Sequence, residues 1–225
     1  MHFRDTLDEL SRANKKVFTT YDAAKFMGKP IEYASLMLSK SRDVVRIEKG
    51  VYAIKGTDIY EAASNIVFPS YVSLLAGMQY YGLIDQNIIR YSVITLERHK
   101  NITLGKNEIE FRKVKRRLMF GYVSKSGTYI AEPEKLFIDC LYFNIRLHVL
   151  LEAMKTAKEE NMVSAEKLEE YAIRAGRKTL VNRLGFIMES AGLATGKLED
   201  HIYKNYVYAK ANGKKVNKKW RVLYD

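Results

Sequence analysis

Four histidines, His2, His99, His148 and His201, and one cysteine, Cys140, are the side chains best equipped to hold a transition metal or to act as nucleophiles. They are scattered along the chain, whereas a zinc site draws its ligands from closely spaced pairs. Carboxylates come closer together at Glu132, Glu134 and Asp139, which span about two turns if that segment is helical. At the start of a helix opened by Pro133 they complement the helix dipole, and this role outweighs acid–base catalysis. There is no G-x-x-x-x-G-K-[ST] loop, no G-x-G-x-x-G and no G-x-S-x-G elbow. No lysine has Asp or Glu two residues before it, which removes the D…[DE]-x-K nuclease core. Cys140, between Ile138 and Leu141, reads as a buried, inert thiol. Neither an enzymatic activity nor a cofactor is expected.

What remains is the chemistry of polyanion recognition. The net charge is +12, and each Lys or Arg set beside a phosphate releases condensed counterions. Lys29, Arg42, Arg46 and Lys49 are the candidates for phosphate contact. Glu32, Tyr33, Ser35, Leu36, Ser39 and Lys40 fall on one arc of a helical wheel and combine donors, acceptors and an apolar group, the mixture that reads base edges in a major groove. Leu36 faces away from a small core, where a thymine methyl or a partner subunit would cover it. Lys113, Lys115, Arg116 and Arg117 form a second basic patch, which suits phosphate contact and suits a solvated turn equally well.

These side chains need elements to present them. Leu7, Leu10 and Ala13 predict a first helix from about Asp5 to Asn14, and KVFTT a brief strand. Thr19 and Asp22 have the spacing of a capped helix start, and Gly28 that of a left-handed stop. Pro30 then opens a third helix, IEYASLMLSKS, with Ile31, Ala34, Met37, Leu38 and Ser41 on its buried arc. The segment VVRIEKGVYAIKG predicts a hairpin turning at Lys49-Gly50, with Arg46, Lys49 and Lys55 on or beside it. Three helices followed by a basic hairpin is the order of a winged helix-turn-helix, used either to bind DNA or to dock a protein.

Two hundred and twenty-five residues suffice for two domains, read here as 1–57 and 58–225. The expected fold is α+β: the N-terminal winged helix-turn-helix, then a mixed α/β domain with a small antiparallel sheet and a helical C-terminal part. The run SYVSLLAGMQYYG predicts a helix with Tyr71, Leu74, Leu75, Met78 and Tyr81 on one face. YSVITLE, IEFRKV and LMFGYV predict three strands, the last two joined by a turn at Lys115–Arg117. Helices are predicted over 133–143, 145–158, 164–175 and 179–191. From Lys204 to Arg221 there are seven basic residues and no acid, so the tail is either a second anion-binding surface or a solvated extension. No run is long enough to span a membrane, and MHFRDTLDEL lacks the apolar core of a signal peptide, so a cytoplasmic location without a membrane partner is expected.

Four motifs, in order, resemble the AbiE-type (AbiEi-like) antitoxins, predicted transcriptional regulators of type IV toxin–antitoxin systems. RIEKGVYAI resembles that family's wing and YVSLLAGMQYYGLI the start of its second domain. IAEPEKLFIDCLYF resembles its Pro-Glu-Lys helix, here Pro133, Glu134 and Lys135 followed by Asp139, Leu141 and Tyr142, and VNRLGFIMESAGL its late helix, through Arg183, Leu184 and Gly185. The tail after Leu193 departs from the pattern. The resemblance implies an autorepressor that binds inverted repeats in double-stranded DNA as a homodimer. It also implies a C-terminal domain that counteracts a nucleotidyltransferase-like toxin. The alternative is a protein-interaction module that neutralises a partner toxin directly, without sequence-specific DNA binding.

Overall fold

Thr19 shows how closely local sequence dictates local structure in the N-terminal segment. Its hydroxyl accepts the Asp22 N–H at 3.1 Å and the Asp22 carboxylate accepts the Thr19 N–H at 2.9 Å, a reciprocal capping box. Gly28, at φ +61°, closes the same helix in the left-handed conformation that a side chain resists. In this computed structural model, which describes residues 3–208 and 214–224, the segment comprises α1 (Phe3–Arg12), β1 (Val17–Thr19), α2 (Thr20–Met27), α3 (Ile31–Lys40), β2 (Val44–Glu48) and β3 (Val51–Ile54). The three strands form an antiparallel sheet in the order β1-β3-β2, with a register shift between Arg46 and Glu48. Leu7, Leu10, Phe18, Ala23, Ala34, Leu38 and Tyr52 are buried in one cluster, so the spacing of apolar residues on each helix becomes a common core.

The chain divides into two units. One holds residues 1–72, 89–113 and 124–130, and the other 73–88, 114–123 and 131–225. Residues 1–57 therefore share a unit with strands that the sequence alone would give to a second domain. After α4 (Ile59–Ser64) come β4 (Ser70–Val72), β5 (Arg90–Thr95), β6 (Ile102–Leu104), β7 (Asn107–Lys113), β8 (Tyr122–Lys125) and β9 (Thr128–Ala131), a six-stranded sheet of order β6-β7-β5-β4-β9-β8 that belongs to the first unit except for Tyr122, Val123 and Ala131.

The fold is α+β with small antiparallel pairings, but the predicted strands YSVITLE and IEFRKV lie parallel to each other. The hairpin partner of β7 is β6, a three-residue strand, and β7 then lies parallel to β5. The turn expected at Lys115–Arg117 is a 3-10 turn over Arg116–Leu118, and LMFGYV yields strand only from Tyr122. Leu118 and Phe120 are buried there, so they behave as core anchors where alternation suggested a strand. Tyr71, assigned from the sequence to a helix face, lies in β4; it is fully buried in either role, which is why periodicity did not separate the two.

The second unit contains α5 (Leu74–Tyr80), α6 (Pro133–Tyr142), α7 (Leu147–Glu159), α8 (Ala165–Ala175), α9 (Lys178–Ser190), the short α10 (Gly196–Glu199), β10 (Val207–Tyr208), β11 (Lys215–Asn217) and β12 (Val222–Tyr224). Gly77 lets α5 approach α6: a Cβ at that position would come within 2.3 Å of Leu136 Cδ2. Inside α6 the ammonium of Lys135, fully buried, bonds the Asp139 carboxylate, which also accepts the Ser73 hydroxyl at 2.8 Å. Over its described part the tail docks through an apolar anchor while Lys204, Lys214, Lys215 and Lys218 stay exposed. Trp220 is fully buried against Gly185 of α9, and its indole N–H donates to Glu189 at 2.8 Å. His2 and Lys210 of the sequence reading lie outside the described residues.

Candidate nucleic-acid interface

The exposed arc of α3 is the one the wheel predicts, whereas of its predicted buried arc only Ala34 and Leu38 are fully inside, with Met37 and Ser41 half-buried. Ala34 and Leu38 are buried, while Glu32, Tyr33, Ser35, Leu36, Ser39 and Lys40 are all exposed, Tyr33 at 46% and Leu36 at 49%. Exposure this large on an aromatic and a leucine of one arc leaves an uncovered apolar surface among polar groups. The Ser39 hydroxyl donates to the Leu36 carbonyl at 2.9 Å, a local bond that a competing acceptor can replace by rotation about χ1.

Ile31 corrects the expected buried arc. It is 45% exposed, because it is the first residue of α3 and follows directly on the Gly28–Pro30 turn. With Tyr21, 68% exposed, and the aliphatic parts of Lys25 and Lys29 it lines a shallow depression of about 470 Å³. Tyr21 and Lys25 did not enter the sequence reading, although their signal was present: Ala23 and Ala24 turn inward, leaving residues 21 and 25, one helical turn apart, on the outer face.

On the hairpin, Gly50 at φ +81° makes the predicted turn, and Arg46 and Lys49 are exposed beside it. Arg46 Nε donates to the Glu48 carbonyl at 3.2 Å, which holds the guanidinium along the strand. Lys29 precedes α3, Lys40 ends it and Arg42 follows it, all exposed. None of Lys29, Lys40, Arg42, Arg46 and Lys49 forms an ion pair with a described residue. Elsewhere in the segment Lys15 bonds Asp22, Lys16 bonds Glu61 at 2.9 Å and Arg4 bonds Asp43 at 3.4 Å, while Arg12, Lys25 and Lys55 also form no ion pair with a described residue. Burial tends to raise the Asp22 pKa, but the hydrogen bonds from Lys15 and Thr19 outweigh it and hold the carboxyl below its ordinary value.

The second basic patch is not one hairpin edge. Lys113 ends β7 in the first unit, whereas Lys115, Arg116 and Arg117 belong to the 3-10 region of the second. All four are exposed. Arg117 extends over the turn after α8, where a Cβ on Gly176 would meet its guanidinium at 2.6 Å.

The three carboxylates weighed for catalysis serve the packing of the second unit. Glu132 accepts the Lys167 ammonium at 2.8 Å and the Tyr171 hydroxyl at 2.6 Å. Burial opposes its ionisation, but those two bonds prevail and lower its pKa, while burial and the Glu132 charge push Tyr171 up to about 12. Glu134 accepts the Ser164 N–H at 3.1 Å and so anchors the start of α8. Among the described residues no group of three His, Cys, Asp or Glu could hold a metal ion, and no helix is long and apolar enough to cross a membrane.

No family model matches this chain, and no curated protein matches it. The crystal structure of the RV2827C protein from Mycobacterium tuberculosis superposes with a TM-score of 0.60, covering 96% of this chain and 88% of that one at 13% identity. At that identity the likeness shows a shared fold and no more.

Proposed function

We propose that the chain is a DNA-binding transcriptional regulator in which residues 1–57 act as a winged helix-turn-helix. In this reading α3 enters the major groove with Tyr33, Ser35, Leu36, Ser39 and Lys40 toward base edges and Glu32 toward a cytosine amino group. Lys29, Arg42, Arg46 and Lys49 contact phosphates on either side. A homodimer on an inverted repeat fits this arrangement, because a two-fold operator mirrors a two-fold protein. The order of the four sequence motifs extends the proposal to an autorepressing antitoxin that counteracts a nucleotidyltransferase-like toxin in the cytoplasm.

The observation that carries the DNA-binding reading is the set of exposed cations on and around α3 and the hairpin, Lys29, Lys40, Arg42, Arg46, Lys49 and Lys55, that form no ion pair with a described residue. Unpaired cations beside an exposed polar helix face cost the fold little and attract a polyanion strongly. The test is binding to a duplex drawn from the chain's own promoter, measured by fluorescence anisotropy over a range of salt concentrations. Arg46→Ala and Lys49→Ala should weaken binding to every sequence and reduce the salt slope by about 0.9 for each phosphate contact removed. Tyr33→Ala and Ser39→Ala should instead alter sequence preference. A salt slope that stays the same in both hairpin variants would overturn the docking.

A second reading is favoured by the exposed Tyr21, Ile31, Tyr33 and Leu36, which together suit a protein partner. If the product of the adjacent gene co-purifies with the wild-type chain and is lost with Leu36→Lys, while promoter DNA does not bind, α3 is a toxin-docking face.

A further inference from the structure

The turn between α8 and α9 floors a cleft of about 470 Å³ in the second unit, a volume in the range of small-molecule sites. Its charged lining is unbalanced: Arg177, Lys178 and Lys204 share it with a single carboxylate, Asp200, and the ring of His201 lies in the same lining. Arg177, Lys178 and Lys204 form no ion pair with any described residue, and Arg117 adds a fourth full positive charge beside Gly176. Its apolar lining is Ala172, Ile173, Val181 and Ile202, with Tyr203.

The cleft is built rather than incidental. Its 200–204 rim is pinned by Asn182, fully buried, whose amide oxygen accepts the Tyr203 N–H at 2.7 Å while its nitrogen donates to the Tyr203 carbonyl at 3.0 Å. Arg177 is fixed by donation to the Tyr142 carbonyl, with its guanidinium 5.3 Å from the Tyr142 ring centre. Farther along α9, Arg183 is only 8% exposed and has neutral partners, the Asn144 side-chain oxygen at 2.9 Å and the Thr179 carbonyl at 3.3 Å. Burial, and then the charge of Arg177, push the Arg183 pKa down to about 10. The first turn of α9 also has no side-chain cap, so its amides add to the same positive field.

We propose that this cleft binds a small phosphorylated ligand of nucleotide size, with its phosphates at Arg177, Lys178 and Lys204 and its apolar portion against Ile173, Val181, Ile202 and Tyr203. Several cations converging on one concavity match a multivalent anion, and guanidinium forks match phosphate oxygens in pairs. The site lies outside the α3 and hairpin face and does not depend on it.

Isothermal titration of the full chain with ATP, with inorganic pyrophosphate and with uncharged adenosine tests this. ATP and pyrophosphate should bind and adenosine should not. Lys178→Glu and Lys204→Glu, both at exposed positions, should each weaken binding by at least about tenfold, or about 1.4 kcal/mol, with an unchanged circular dichroism spectrum. Promoter DNA affinity should be the same in these variants as in wild type, which separates this site from the DNA-binding reading. Absence of heat with both phosphate probes, or equal affinity in the two lysine variants, would overturn the proposal. Displacement of ATP by duplex DNA, with the same dependence on Lys178 and Lys204, would overturn the small-ligand assignment and give the cleft to a nucleic-acid backbone.

Discussion

The carboxylate of Glu48 lies 3.1 Å from Nε2 of His99, and both side chains are four-fifths buried. This contact fastens β2 of the hairpin to the loop that leads into β6. The His99 ring is in turn 4.4 Å from the Phe111 ring on β7, and its Nδ1 is 2.8 Å from the Lys100 carbonyl oxygen. The hairpin that carries Arg46 and Lys49 is thus braced from the six-stranded sheet, and its position does not rest on its own two strands alone.

Glu48→Ala should therefore loosen the hairpin without removing any cation proposed to touch DNA. A loss of about 1 kcal/mol of local stability corresponds to roughly fivefold faster amide exchange in β2 and β3. Promoter affinity should fall while the salt slope remains at its wild-type value. Exchange rates identical to wild type would show that the brace contributes nothing.

The capping box of α2 has a pH signature. The folded-state pKa of Asp22 is depressed, so its contribution is complete above the ordinary aspartate range and is lost as pH falls through the lower folded value. Urea unfolding of wild type should show a larger drop in stability on acidification than Asp22→Asn, which keeps the losses from other depressed carboxylates such as Glu132. Thr19→Ala should cost about 1 kcal/mol at neutral pH. Parallel acid profiles for wild type and Asp22→Asn would contradict the assignment.

Gly185 and Trp220 form a glycine-on-indole contact: a Cβ on Gly185 would come within 2.1 Å of the ring. Trp220 is the chain's single tryptophan, so its emission reports on this contact directly. Gly185→Ala should shift the emission to longer wavelength as the ring is expelled. Trp220→Ala should cost about 3–5 kcal/mol by leaving a cavity. An unshifted spectrum in Gly185→Ala would mean that the tail accommodates the methyl group without undocking.

Lys135 and Asp139 are a buried ion pair on α6, and removing one partner strands the other charge. Lys135→Met alone should destabilise by about 3–5 kcal/mol, whereas Lys135→Met with Asp139→Leu should recover much of that loss. The measurement is a double-mutant cycle in denaturant. Additive losses in the cycle would deny the pairing its energetic role.

The sequence by itself determined what depends on neighbours along the chain. Thr19, Asp22 and Gly28 set the limits of α2, Gly50 set the hairpin turn, and the positions of Ala34 and Leu38 set the buried stripe of α3, because caps, turns and helical faces involve residues only a few positions apart. The exposed arc of α3 and the cations beside it were legible for the same reason. Tertiary structure alone decided pairings between distant segments: β5 beside β7, Trp220 on Gly185, Glu48 against His99, and Arg177 and Lys204 on one cleft. It also decided that Tyr71 is in a strand and that Ile31 is exposed, since burial at the end of an element depends on where its neighbours stop. Periodicity reports which residues share a face, but the partner that covers that face comes from elsewhere in the chain, and only packing selects it.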